Sequence, residues 1–121
     1  MTALKLSHIR KTFGDHVAVD DVSVEIPAGS LYGFIGPNGA GKTTTLRIVV
    51  DILRPDEGTV EVLGERDPAA IRSRLGYLPE ERGMYKKMRC IDFVAYIGAL
   101  KGVPFREARE RAIELMDRFD L

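Results

Sequence analysis

With 121 residues, 45% of them hydrophobic and 30% charged, the chain has the size and composition of one soluble globular domain. Its 18 lysines and arginines balance 18 aspartates and glutamates, so it lacks the basic excess expected of a nucleic-acid-binding protein. The only cysteine, Cys90, excludes an internal disulfide, and the apolar run at residues 93–100 is far shorter than the ~20 residues that span a bilayer.

The first part of the chain predicts two long strands. Residues 4–13 form a strand of mixed polarity that ends at the turn residues Gly14 and Asp15. In the second strand, Val17 and Val19 lie at odd positions, whereas three later apolar residues lie at even positions: Val22, Val24 and Ile26. Such a switch of face near residues 20 and 21 indicates a β-bulge inside one continuous strand.

An apolar segment at residues 31–35 predicts a central strand covered on both faces, and it leads into a glycine-rich loop. A helix follows the loop, because apolar residues recur at helical spacing, at Leu46, Val49, Val50 and Leu53. This helix must end before Pro55, since proline disfavours helical geometry in the preceding residue.

The remainder of the chain predicts two short strands and then helices. The strands are residues 59–63 and 75–78, with a short helix beginning near Pro68 between them. The next helix is expected to end near Gly102, and Pro104 opens another. One face of that last helix is apolar, with Ala108, Ala112, Leu115, Met116 and Phe119.

The glycine-rich loop carries the chemistry. Its sequence matches the phosphate-binding pattern GxxxxGK[ST] from Gly36 to Thr43 at every required position. Glycines allow positive φ and close approach of backbone amides to phosphate oxygens, at the positive end of a helix. Lys42 would supply charge to the β- and γ-phosphates, and the Thr43 hydroxyl would bind Mg²⁺. The motif therefore predicts nucleotide binding.

The loop motif is also compatible with three other classes of nucleotide-binding protein. A guanine-specific GTPase needs an Asn-Lys-x-Asp motif, but Asn38, inside the loop, is the only asparagine. A nucleotide kinase stays open on the residues alone, although such kinases usually place the loop on the first strand. A non-catalytic ATP-binding module is a third possibility.

The loop and its flanks resemble the ATP-binding cassette of ABC transporters, especially exporter-type cassettes of the multidrug or sodium-efflux kind. The resemblance is carried by residues 12–15, 22–26, 29–44 and 75–85. It implies an α/β fold with a P-loop NTPase core, an antiparallel β lead-in and the start of a helical subdomain. It also implies ATP hydrolysis coupled to export, with a membrane permease and a second cassette as partners.

The resemblance assigns further roles to single residues. Phe13 stands where the family has an aromatic residue that stacks on adenine, and Glu80 stands where the family usually has a glutamine that contacts Mg²⁺. The expected metal ligands are thus Thr43 and Glu80, and no residue is assigned as the catalytic base. The expected ATP-binding residues are Phe13, Gly36, Pro37, Asn38, Gly39, Ala40, Gly41, Lys42, Thr43 and Thr44.

The sequence departs from a complete cassette. It has no glutamine and no serine followed by glycine, so the family's Leu-Ser-Gly-Gly-Gln signature is not in it, and His8 and His16 both precede the loop. The prediction is a partial domain: residues 1–82 form the β lead-in and P-loop core, and residues 83–121 begin the helical subdomain. We expect this chain alone to be inactive as an ATPase.

The expected location follows from the N-terminus and the resemblance together. The first eleven residues contain no apolar signal-peptide core. The protein is therefore expected in the cytoplasm, peripheral to the inner face of the membrane through its permease. By the same resemblance, residues 83–89 would face that membrane partner.

Overall fold

The computed structural model describes residues 1–81 and 83–121 and divides them into two compact units, Met1–Tyr77 and Leu78–Leu121. The predicted division at residue 82 falls on Arg82, which lies outside the described residues. No helix within the described residues is long and apolar enough to cross a membrane.

The first unit is built on a three-stranded antiparallel sheet. Strands β1 (Thr2–Phe13) and β2 (His16–Pro27) form a hairpin, and β3 (Glu57–Val62) pairs with the other edge of β1, giving the order β2-β1-β3. Gly14, with φ of 58°, makes the tight turn between the first two strands. The predicted β lead-in is confirmed.

Bulges set which residues of the hairpin face the core. Two steps along β1 from Ile9 to Lys11 match three steps along β2 from Val22 to Val19, where Asp21 has φ of 50°. This confirms the predicted bulge. A second one lies in β1 around His8, whose φ is 52°.

The second bulge explains the mixed polarity of β1. Leu6 and Ile9 are three residues apart, so a regular strand would point them to opposite faces. The extra residue at the bulge turns both side chains inward, where they pack with Val19 and Ile48 as one buried cluster. Full burial of such a side chain stabilises a fold by roughly 1.5–3 kcal/mol.

Helix α1 (Lys42–Val49) packs on this sheet through Ile48 but is shorter than expected. Asp51 takes φ of 58°, and the amides of Ile52 and Leu53 both donate to the carbonyl oxygen of Arg47, at 2.8 and 3.1 Å. Closing the helix on a left-handed residue satisfies its last carbonyls. The expectation that the helix continues to Leu53 is therefore wrong.

The two other predicted strands, residues 31–35 and 75–78, are also wrong: both segments lie outside every strand that the structure describes. Leu31 and Leu78 are 103% and 94% exposed. A strand requires a partner for its backbone hydrogen bonds, and the described sheet consists of β1, β2 and β3 alone. The apolar composition of these segments is typical of buried strands, but composition does not show whether a neighbouring strand is there to pair with them.

Beyond β3, the first unit continues into a short helix, α2 (Pro68–Ile71), and a 3₁₀ turn at Arg72–Arg74. Asp67 caps α2 by accepting a hydrogen bond from the amide of Ala69 at 3.0 Å. Proline occupies the first turn, as predicted, because its missing N–H would have no helical acceptor there.

The second unit is a pair of helices, α3 (Cys90–Leu100) and α4 (Phe105–Arg118). Ala95, Ala108 and Ala112 are buried between them, and a Cβ added at Gly98 would lie 3.1 Å from the Cβ of Ala108. Small residues therefore let the two backbones approach closely. The predicted apolar face of α4 is confirmed at its two alanines, whereas Leu115 and Phe119 are exposed.

Candidate nucleotide-binding site

The phosphate-binding loop ends at the start of α1, with Gly41 as the residue that precedes the helix. The first amides of an α-helix have no acceptor within it, and no acidic residue lies in the first turn of α1 to offset its positive end. Thr45, only 3% exposed, anchors this turn: its hydroxyl and amide both bind the carbonyl oxygen of Gly41, at 2.8 and 2.9 Å. The partial positive charge at the start of α1 therefore favours an anion.

Two glycines give the loop its shape. Gly39 and Gly41 have φ of 83° and 86°, in the left-handed region that favours glycine. At Gly41 the space is closed as well, because an added Cβ would lie 2.2 Å from the carbonyl oxygen of Ala18 in β2. The loop therefore packs against the hairpin, and its two glycines have the positive φ that the motif predicts.

The ammonium group of Lys42 closes over the loop. Its Nζ donates hydrogen bonds to the carbonyl oxygens of Gly36 and Pro37, the latter at 2.9 Å. The loop's own carbonyls thus hold this charge beside the amides that would meet a phosphate. The next residue, Thr43, is exposed, and Thr44 is half-buried.

Phe13 lies at the same end of the hairpin as the loop. The residue is 48% exposed, so it is not a buried core aromatic at the end of a strand. Thr12 pairs with Val17 across the hairpin. Phe13 follows Thr12 in the sequence, and Ala18, which contacts the loop at Gly41, follows Val17. The turn end of the hairpin therefore carries an exposed aromatic residue and also packs against the glycine-rich loop.

Asp56 and Lys11 were missed by sequence reasoning. Asp56 accepts hydrogen bonds from the amide and hydroxyl of Thr12, at 2.7 and 2.9 Å, and from Nζ of Lys11 at 3.0 Å. The Thr12 amide, followed by the Lys11 and Thr12 side chains, lowers the pKa of Asp56 to about 2. No local pattern signals this contact, because Thr12 and Asp56 are 44 residues apart in the sequence.

Glu80 belongs to the second unit, where its side chain is exposed. Its proposed partner at the metal, Thr43, belongs to the first unit, so the Thr43–Glu80 pairing stays a prediction. In the segment expected to face a membrane partner, Lys86 and Lys87 are exposed. Arg89 is exposed too, and it donates a hydrogen bond to Asp92 at 2.8 Å, which lowers the pKa of that carboxyl.

The family follows from comparison with known proteins. The family model described as "ABC transporter" matches residues 19–121, most of the chain. The chain belongs to the ABC transporter ATP-binding family. This membership decides against a nucleotide kinase, the alternative that the residues alone left open.

Relatives of this ABC protein point the same way. It is 42% identical to an uncharacterized ABC transporter ATP-binding protein, YhaQ, of Bacillus subtilis, covering 98% of this chain and 40% of that protein. It is 37% identical to the daunorubicin/doxorubicin resistance ATP-binding protein DrrA of Streptomyces peucetius, covering 98% and 37%. It is 38% identical to the Nod factor export ATP-binding protein I of Sinorhizobium fredii, covering 95% and 34%. The chain thus spans two-fifths or less of these relatives.

Solved ABC cassettes share the fold. A structure described as the ATP-binding subunit of an ABC transporter aligns with 99% of this chain and 51% of its own, at a TM-score of 0.79 and 25% identity. A dimeric cassette in a post-hydrolysis state, bound to ADP and Pi, aligns at a TM-score of 0.83 and 23% identity, covering 98% and 57%. The predicted α/β fold of a partial P-loop NTPase domain is confirmed.

Proposed function

We propose that this chain binds ATP on residues 36–44 and serves as the nucleotide-binding part of an ABC exporter. One observation supports this above others. A loop with two left-handed glycines is seated on β2 and opens onto the uncompensated positive end of α1, with Lys42 folded across it. Such an arrangement stabilises a polyphosphate and has no evident purpose in a purely structural turn.

Each residue of the loop has a proposed part in binding. Backbone amides from Gly36 to Thr44 would surround the phosphates, and Lys42 would exchange loop carbonyls for β- and γ-phosphate oxygens. Phe13 would stack on the adenine. Thr43 and Glu80 would hold Mg²⁺, which neutralises charge on the phosphates when bound.

The partners are proposed from the family and from what the relatives are named for. DrrA is named for daunorubicin and doxorubicin resistance, and the Sinorhizobium relative for Nod factor export. One solved neighbour is a dimer bound to ADP and Pi. We infer a protein on the cytoplasmic face of the membrane that pairs with a second cassette and drives export through a permease, with residues 83–89 facing the permease.

Calorimetry with the Lys42→Ala variant tests ATP binding. The variant removes a charge-assisted contact of roughly 1.5–3 kcal/mol, so ATP affinity should fall on the order of tenfold to a hundredfold. Lys5→Ala is the matched control, because Lys5 is an exposed lysine on β1 and is not among the residues proposed to bind ATP. Equal ATP affinity in the wild type and both variants would contradict the proposal.

A further inference from the structure

Lys11 and Asp56 lie beside Phe13 and connect it to the segment that follows the phosphate-binding helix. We propose that these two residues form a clasp that holds the Phe13 ring in the orientation in which it receives the adenine of ATP. They would be positioning residues that act through Phe13, which sets how much the base contributes to binding. This inference rests on the proposed ATP-binding function.

The clasp fixes the backbone immediately before Phe13. Both oxygens of the Asp56 carboxylate are used: Oδ2 accepts from the amide and hydroxyl of Thr12, and Oδ1 accepts from Lys11 Nζ. The amide of Asp56 in turn donates to the carbonyl oxygen of Arg10 at 2.8 Å. Arg10, Lys11 and Thr12 are therefore all hydrogen-bonded to Asp56. These bonds would fix the backbone from which the Phe13 side chain projects.

The same carboxylate places a cation on the ring. Lys11 Nζ lies 5.5 Å from the centroid of the Phe13 ring, within cation–π range, and the Lys11 side chain is only 16% exposed. An ammonium over one face leaves the opposite face for a planar base. The ion pair with Asp56 keeps the lysine there, because a free lysine would otherwise sample many rotamers in water.

Asp56 also connects the strand that carries Phe13 with the chain that follows the phosphate-binding loop and α1. It lies between α1, which begins at the phosphate-binding loop, and β3, which pairs with β1. The clasp thus fixes the end of β1 to the chain that leaves the phosphate-binding helix. Its contribution should appear for ligands that carry a base and vanish for ligands that consist of phosphates alone.

A double-mutant cycle tests the clasp in the full chain. Lys11→Met removes the cation and keeps an apolar stem, and we expect it to weaken ATP about two- to tenfold. Affinity for inorganic triphosphate should not change, which also shows that the variant is folded. In a Phe13→Ala background, Lys11→Met should have no further effect on ATP, because the ring through which it acts has been removed.

Variants of Asp56 supply the second arm. Asp56→Asn keeps an acceptor for the Thr12 amide but loses the charge that holds Lys11, so it should resemble Lys11→Met. Asp56→Ala loses both and should weaken ATP further, with triphosphate again unchanged. Lys5→Met, an exposed lysine elsewhere on β1, is the control and should leave both affinities unchanged.

Two outcomes would overturn the clasp. One is an equal loss of ATP and triphosphate affinity in Lys11→Met. The other is an undiminished effect of Lys11→Met when Phe13 is already alanine. A failure of the proposed function is distinct, since Lys42→Ala would then leave ATP affinity unchanged whatever the cycle gives.

Discussion

At Gly39 and Gly41 the same backbone requirement meets different surroundings. Both residues have left-handed φ, which costs a non-glycine residue roughly 1–2 kcal/mol. A Cβ added at Gly39 would meet nothing within 4 Å, whereas one at Gly41 would press into a backbone carbonyl of β2. A carbonyl in a paired strand cannot swing aside as a flexible side chain can. A substitution at Gly39 therefore tests the cost of the backbone conformation alone, whereas one at Gly41 also tests the packing of the loop against β2.

Gly41→Ala should accordingly weaken ATP binding far more than Gly39→Ala. We expect Gly41→Ala to lift the loop off β2 and lower ATP affinity by more than about tenfold, since the amides no longer converge. Gly39→Ala, the matched control, carries only the conformational cost. Calorimetry with ATP and thermal denaturation of both variants measure the two effects, and equal losses in the two would argue against a seated loop.

At the scale of elements, α3 and α4 depend on small side chains where they meet. Ala95, Ala108 and Ala112 are buried, and Gly98 lies against Ala108 with no room for a methyl group at ordinary contact distance. Helical periodicity predicted that this face of α4 is apolar. It did not reveal that the contact is close, because alanine and leucine follow the same pattern.

Ala112→Leu tests the close contact between α3 and α4. Extra methyl groups in a packed interface force the backbones or rotamers apart, so the free energy of unfolding should fall by about 1–3 kcal/mol. Glu114→Leu places the same side chain at an exposed position of α4 and should change it by less than about 0.5 kcal/mol. Chemical denaturation of both variants gives the comparison, and equal stabilities would show a loosely packed pair.

At the scale of the whole molecule, ATP binding and ATP turnover make different demands. Hydrolysis requires a positioned water as well as charge stabilisation on the γ-phosphate. In the proposed function, Lys42 and Thr43 would serve the second requirement. The family resemblance assigns the first to a glutamate and a histidine that follow the signature sequence, and in these 121 residues both histidines precede the loop.

The 121-residue chain should therefore bind Mg²⁺-ATP without turning it over. Catalytic groups that act as a unit commonly lose several orders of magnitude in rate when members are removed. Phosphate release should stay near the uncatalysed background while calorimetry shows binding. Steady release near ~1 s⁻¹, abolished by Glu80→Gln, would instead make Glu80 the catalytic base of a smaller ATPase.

Local patterns in the sequence were enough to predict the glycine-rich loop, two long strands with a bulge in β2, the short helix at Pro68 and the two last helices. These features depend on local chemistry: glycines that permit positive φ, proline at a helix start, and periodic apolar residues. Such signals act over a few residues and need no distant partner.

The other features depend on contacts between distant parts of the chain. Residues 31–35 and 75–78 are apolar enough for strands, but strand formation depends on a hydrogen-bonding neighbour elsewhere in the chain. The contact of Gly41 with Ala18 and the hydrogen bonds of Asp56 with Lys11 and Thr12 join residues 23 to 45 positions apart. Their geometry exists only once the sheet has formed, because a carboxylate or carbonyl acts through what folding brings within about 3 Å of it.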